Sequence, residues 1–242
     1  MMKRAIIFGA TGGIGQAIAE ELATAGWSLY LQYQKQAATA QKLAKQLAEK
    51  FPEQDFIPFQ LDMAADVKLD VVFDDFLAVN GLVFAQGITD YALFAEQDNA
   101  TIDQIFQVNL VQPLKIVKYF EPRLLNAEHS RIIFIGSVYG RNGSALEAVY
   151  STTKGGLSAF ASAYAKEVAT AGLTVNVVAP GAVATPMTAD FSTNELTQLK
   201  AEIPVSRIAE PRDISYWVQN IVDERADYLT GQTIYVDGGW LV

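Results

Sequence analysis

The sequence predicts an α/β fold: a doubly wound parallel sheet of seven strands with helices on both faces. Three observations carry this. Seven short strand-like runs, at 4–8, 28–33, 56–60, 81–85, 131–136, 174–179 and 233–236, punctuate the chain, and several are apolar on consecutive residues rather than alternate ones. That pattern is expected when both faces of a parallel sheet are covered. Segments of helical period lie between the runs; across 37–51, Ala40, Leu43, Ala44, Leu47 and Phe51 recur on one face. The first run leads directly into a glycine cluster that opens a helix. Strand–helix alternation in short units implies right-handed crossovers. Ligands of such sheets sit at the carboxyl ends of the strands, where the strand order reverses.

The 242 residues are read as one domain, 1–242, because half of them are apolar and no linker, charge block or repeat divides them. A formal charge of −9 argues against nucleic acid or an anionic membrane as partner, since both select basic faces. With no cysteine and one histidine, neither thiolate chemistry nor a metal site is expected. That histidine, His129, lies in the polar run 126–130 and reads as a solvated loop residue. The apolar run after Met1-Met2-Lys3-Arg4 stops at Gly9, too early for a signal h-region or a membrane span, so a cytoplasmic protein is expected.

The first strand passes into Gly9-Ala10-Thr11-Gly12-Gly13-Ile14-Gly15 and then a helical run. Gly9 permits the tight turn, Gly13 lets backbone approach a pyrophosphate, and Gly15 lets helix pack on strand. Free N–H groups at the helix start then meet the anion. This predicts a dinucleotide site. At the end of the second strand, Tyr33-Gln34-Lys35-Gln36 contains no carboxylate to hold a ribose 2′-hydroxyl. Lys35 instead suits a 2′-phosphate, so NADP(H) is favoured over NAD(H). Asp62, followed by Met63 just past the third strand, is placed to accept from an adenine amine, or to serve as an ordinary strand-end turn residue.

Tyr150 and Lys154 stand at i and i+4 at the start of a helix and share one face. A phenol near its free pKa of ~10 is a poor proton partner at neutral pH, and an adjacent ammonium favours the phenolate. Ser137, at the carboxyl end of the fifth strand, can hold a carbonyl oxygen against Tyr150 as charge develops.

With these residues in this order, the chain resembles the short-chain dehydrogenase/reductase family over essentially its whole length. The family's glycine motif falls on Gly9, Gly13 and Gly15, and its catalytic Asn, Ser, Tyr and Lys fall on Asn109, Ser137, Tyr150 and Lys154. The run 176–185 resembles the sixth strand and nicotinamide loop, and 228–232 with 236–239 the last turn and strand. The resemblance implies a Rossmann-like sheet and a proton passed from Tyr150 to the substrate oxygen as hydride arrives. Lys154 would hold the ribose, Ser137 would orient the substrate, and Asn109 would order a water relay. Thr11, Gly12 and Ile14 in the turn, Ala85 and Gly87 after the fourth strand, and Pro180, Gly181, Val183 and Thr185 after the sixth would line the cofactor. A homotetramer is implied too, consistent with the small residues Gly155, Gly156, Ser158, Ala159, Ala161, Ser162 and Ala163 on the helix of Tyr150.

Within the family the chain is most similar to 3-oxoacyl-(acyl-carrier-protein) reductases, which implies reduction of a ketone or acyl thioester. The alternatives are a sugar or polyol dehydrogenase and a non-catalytic cofactor-binding sensor. Phe84-Ala85-Gln86-Gly87 replaces the family's Asn-Asn-Ala-Gly, and Gly12 stands where many NADP-using members have arginine. Glu128 and Ala171 occupy places that are basic in reductases docking an acyl carrier protein, leaving Arg131 and Lys166 nearby to compensate. The stretch 62–87 is short enough to truncate one peripheral helix. Residues 187–207 are expected to form a substrate lid with a helix capped at Ser192, its apolar members Met187, Phe191, Leu196, Leu199 and Ile203 lining the cleft or packing beneath it.

Overall fold

A computed structural model describes residues 3–185 and 192–241. The seven strands are β1 (Arg4–Phe8), β2 (Ser28–Tyr33), β3 (Phe56–Gln60), β4 (Gly81–Phe84), β5 (Arg131–Ile135), β6 (Thr174–Pro180) and β7 (Thr233–Val236). They pair in parallel in the order β3-β2-β1-β4-β5-β6-β7. Each lies where the apolar runs put it, within one residue at either end. The chain winds outward from β1 to β3, crosses back to β4, and winds outward the other way. The switch point therefore lies between β1 and β4.

Strand β1 is buried along its whole length. Its alternate residues feed two separate cores: Ile6 and Phe8 join one, Ala5 and Ile7 the other. Helices α1 (Gly13–Thr24), α2 (Ala37–Lys50) and α9 (Pro211–Val222) pack against the second core. Helices α5 (Gln112–Leu125) and α7 (Ala148–Val168) cover the first, and α4 (Asn99–Phe106) lies against α7. On α2 the buried residues are Ala40, Leu43, Ala44 and Leu47, the face its period predicts.

The shortened stretch holds α3 (Leu69–Phe73), a helix of five residues. Aromatic rings supply the cover a longer helix would give. Phe76 stacks on Tyr30 at 4.0 Å and meets Phe59 and Phe73 edge-on at 5.0 and 5.2 Å. Phe84 sits in register with Phe8 and Phe134 and stacks between them, at centroid separations of 4.8 and 5.0 Å. The polar ties of an Asn-Asn-Ala-Gly turn are thus replaced by an aromatic ladder across the three central strands, whose contribution comes from buried area and ring geometry.

Arg131 opens β5 only 1% exposed. Its guanidinium pairs with Asp227 and donates to the carbonyls of Ser130 and Asp223 at 3.1 and 3.2 Å. It cannot compensate for Glu128 at a docking surface: a buried cation held in an ion pair is part of the frame. Exposed Lys166 alone keeps that option. His129 is exposed in its loop and pairs with Asp227 at 2.9 Å.

In the expected lid, Ser192 caps α8 (Thr193–Glu202) in a reciprocal box with Glu195. Leu196 and Leu199 are half-buried. Ile203 is buried against Gly238, where an added Cβ would lie 3.0 Å from its Cγ2, so it is a packing residue. Met187 and Phe191 lie outside the described residues. Among the described residues no helix is long and apolar enough to cross a membrane.

Candidate active site

The glycine turn is built by contact as well as conformation. Gly9 has φ +75°, and a Cβ there would meet the Gln86 amide nitrogen at 2.6 Å. A Cβ on Gly15 would lie 2.1 Å from the Gly9 carbonyl oxygen, so no side chain fits. Gly13 faces Thr185, whose Cγ2 would be 3.2 Å from an added Cβ. The loop after β6, with Pro180, Gly181 and Val183, thereby returns to the turn.

Gln32, unmarked by any motif, holds this turn in place. It is 2% exposed in β2. Its Oε1 accepts from the Gly9 N–H at 2.7 Å, and its Nε2 donates to the Leu61 carbonyl at 2.6 Å. One side chain thus ties the turn after β1 to the end of β3. A signal existed: a glutamine inside an otherwise apolar strand must find partners for its amide.

Several observations fit a dinucleotide. Helix α1 begins at Gly13 with no side-chain cap and no acid in its first turn, leaving its amides for an anion. Gln86, across the switch point from Gly9, donates from Nε2 to the Val108 carbonyl at 3.3 Å, while its buried Oε1 has no partner among the described residues. A ribose hydroxyl is the kind of donor this oxygen lacks. At the end of β2, Lys35 is exposed and without a partner among the described residues, and Tyr33 is half-buried. Asp62 accepts from Gln34 Nε2 and from the Ala64 N–H, both at 2.9 Å. Met63 is buried beside it.

The four residues expected at the reacting centre converge beyond the ends of β4 and β5. Tyr150 is half-buried on the first turn of α7. Burial raises its pKa to about 12, the nearby Ser137 hydroxyl acts the other way, and Glu147 and Tyr139 raise it further. Lys154 is 3% exposed; its Nζ lies 5.5 Å over the Tyr150 ring centroid and donates to the Ile135 carbonyl at 2.8 Å. Burial brings its pKa down to about 8. Gly87 stands against this ammonium, an added Cβ being 3.3 Å from Nζ and 3.7 Å from Asn109 Oδ1. The close approach that Gly87 permits is therefore to Lys154.

Asn109 is fully buried in a π-helical turn, Gln107–Val111, between α4 and α5. Its Oδ1 accepts from the Ile88 N–H and its Nδ2 donates to the Ile88 carbonyl, both at 2.9 Å. Nδ2 also reaches Thr153 Oγ1 at 3.2 Å, and Thr153 donates to the Tyr150 carbonyl at 2.7 Å. Asn109 thus fastens the segment after β4 to the helix carrying Tyr150. Asn109→Ala leaves both Ile88 backbone groups without these partners. It is expected to cost about 2 kcal/mol of unfolding free energy, read as a lower urea midpoint; an unchanged midpoint would refute the tie.

Residues 9–241 match the family model described as enoyl-(acyl carrier protein) reductase. The chain is 34% identical over 241 residues to YmfI, an uncharacterized oxidoreductase of Bacillus subtilis, with 99% of each chain covered. It is 32% identical over 241 residues to the 3-oxoacyl-(acyl-carrier-protein) reductase FabG of Staphylococcus epidermidis, again with 99% of each covered. Among solved structures, acetoin dehydrogenase YohF from Salmonella typhimurium superposes with a TM-score of 0.90 at 27% identity, over 100% of this chain and 96% of that one.

Proposed function

The chain belongs to the short-chain dehydrogenase/reductase family, and from that membership we propose that it reduces a ketone with NADPH, its substrate a 3-oxoacyl thioester. The observation that carries this is the Lys154 ammonium, buried one helical turn on and 5.5 Å over the Tyr150 ring, with the Ser137 hydroxyl near enough to the phenol to act on it. Two hydroxyls that near can both reach the oxygen of one carbonyl. A bound reduced nicotinamide supplies the hydride. Ser137 holds the substrate oxygen, and Tyr150 Oη gives it a proton as negative charge develops there. Lys154 Nζ serves the cofactor ribose, and Asn109 keeps the wall after β4 in position. The glycine turn takes the pyrophosphate, and Gln86 Oε1 a ribose hydroxyl. Lys35, with no carboxylate at the end of β2, supports NADP(H).

The thioester follows the match to FabG of Staphylococcus epidermidis across nearly the full length. A second reading, oxidation or reduction of a small hydroxyketone or polyol, is favoured by Glu128, Ala171 and the engaged Arg131, which offer an acidic carrier little to dock on. Residues 187–207 act as the lid. Exposed Ala159, Ser162 and Ala163 on α7 supply a close-approach face for the helix pairing of a homotetramer.

The test is NADPH oxidation with acetoacetyl-CoA beside a panel of small ketones and hydroxyketones. Turnover of acetoacetyl-CoA with NADPH preferred over NADH is expected. Lys35→Glu should raise KM for NADPH at least about tenfold through like-charge repulsion and leave KM for NADH nearly unchanged. A wild-type preference for NADH would overturn the cofactor assignment, and turnover of hydroxyketones alone the thioester.

A further inference from the structure

Three residues before Tyr150 stands a carboxylate that the proposed reaction does not use. Glu147 is 9% exposed and lies immediately before α7. The chain around it is laced to the segment after β4: the Ala92 N–H donates to the Leu146 carbonyl at 3.1 Å. Between these strands of chain, Glu147 Oε1 accepts from Thr89 Oγ1 at 2.9 Å, the only hydrogen bond of its carboxyl group among the described residues. A carboxylate has room for about four such bonds, and a single neutral hydroxyl leaves most of that capacity unused.

The field of Glu147 falls on the reacting centre. After burial and the Ser137 hydroxyl, Glu147 is the next influence on the Tyr150 phenol, and it raises the pKa. The neighbouring Tyr139 phenol, also raised first by burial, feels Glu147 and, from α8, Glu202. The Lys154 ammonium over the Tyr150 ring donates to the Ile135 carbonyl.

Resting on the reductase reading above, we infer that Glu147 is the charge filter of the substrate cleft: it rejects substrates with a carboxylate beside the reacting carbonyl and admits neutral esters and thioesters. A 3-oxo acid would bring a second negative charge close to a poorly solvated first one. At an effective dielectric near 20, any two like charges about 6 Å apart repel enough to lower binding on the order of 10²-fold relative to a neutral ligand. A 3-oxoacyl thioester has no charge at that position.

The experiment compares kcat/KM for acetoacetate and for ethyl acetoacetate, which share the reacting ketone and differ in charge. Wild type is expected to favour the ester strongly. In Glu147→Gln the amide oxygen still accepts from Thr89 while the charge is gone, and the acid-to-ester ratio should rise at least about tenfold. Thr89→Val, which loosens the same tie but keeps the carboxylate, should change both substrates alike and leave the ratio in place. An unchanged ratio in Glu147→Gln overturns the filter while the reductase stands. A ratio moved equally by Thr89→Val overturns it also, because fastening rather than charge would then be at work. Failure of wild type to reduce the ester or any thioester overturns the reductase reading and the filter with it.

Discussion

Replacing Tyr150 by phenylalanine is expected to lower kcat for ketone reduction by at least about 10²-fold, with the dissociation constant for NADPH nearly unchanged. The ring, its packing and its contact with Lys154 all remain; only the hydroxyl goes. With it goes the proton for the substrate oxygen. Loss of a general acid costs 10²–10⁴-fold. A phenol held at about 12 by burial stays protonated across the neutral range, so in the reducing direction the proton is in place before the substrate arrives. Single-turnover rates at saturating NADPH, beside a fluorescence titration of the cofactor, separate chemistry from binding. Equal single-turnover rates in wild type and Tyr150→Phe would falsify the assignment of Tyr150, whatever the substrate.

Lys154→Met is expected to abolish turnover and yet leave the cofactor-free protein as stable as wild type at pH 7, or more stable by up to about 2 kcal/mol. Burial depresses the Lys154 pKa from 10.5 to about 8. Below pH 8 the folded protein carries a buried ammonium, and the whole penalty, about 3 kcal/mol for a shift of that size, is present. Between pH 8 and 10.5 the unfolded chain still holds the proton that the folded chain has released, so wild-type stability rises with pH across that window. Above it the penalty is gone. Methionine never has it, although it leaves the Ile135 carbonyl without its donor, an offset of about 1–3 kcal/mol. The stability gap between Lys154→Met and wild type should therefore shift in favour of wild type as pH rises from 7 to 10. Tyr150 acts oppositely and higher: its raised pKa contributes stability below pH 10 that is lost toward 12. Urea midpoints of both proteins at pH 7 and 9.5 make the comparison, and a constant gap would show that the ammonium is not desolvated.

These two predictions draw on different levels of the molecule. Tyr150, Lys154 and Ser137 are recognisable by spacing and by their places at a helix start and a strand end. What Lys154 experiences is not, because its low pKa comes from burial in the surrounding core, among residues that spacing does not connect to it. Glu147 shows the same division. It is visible three positions before Tyr150, but its charge matters only because Thr89, from a segment 58 residues away, folds over it. Arg131 runs the other way: its sequence position offers it to a partner, and the fold consumes it in an ion pair with Asp227.

By itself, the sequence determined the seven strands, the helical faces and the glycine turn, and it marked Tyr150 and Lys154 as sharing one face of a helix. Those follow from period, from the steric demands of glycine and from spacing along one helix, all properties of a few neighbouring residues. Tertiary structure alone decided that Gln32 clamps the turn, that Phe84 joins a stack of three rings, that Gln86 buries an oxygen with no partner among the described residues, and which charges the phenol feels. Each depends on which strand lies beside which and on how much water the packing removes, and a parallel sheet sets both through pairings between residues distant in the chain.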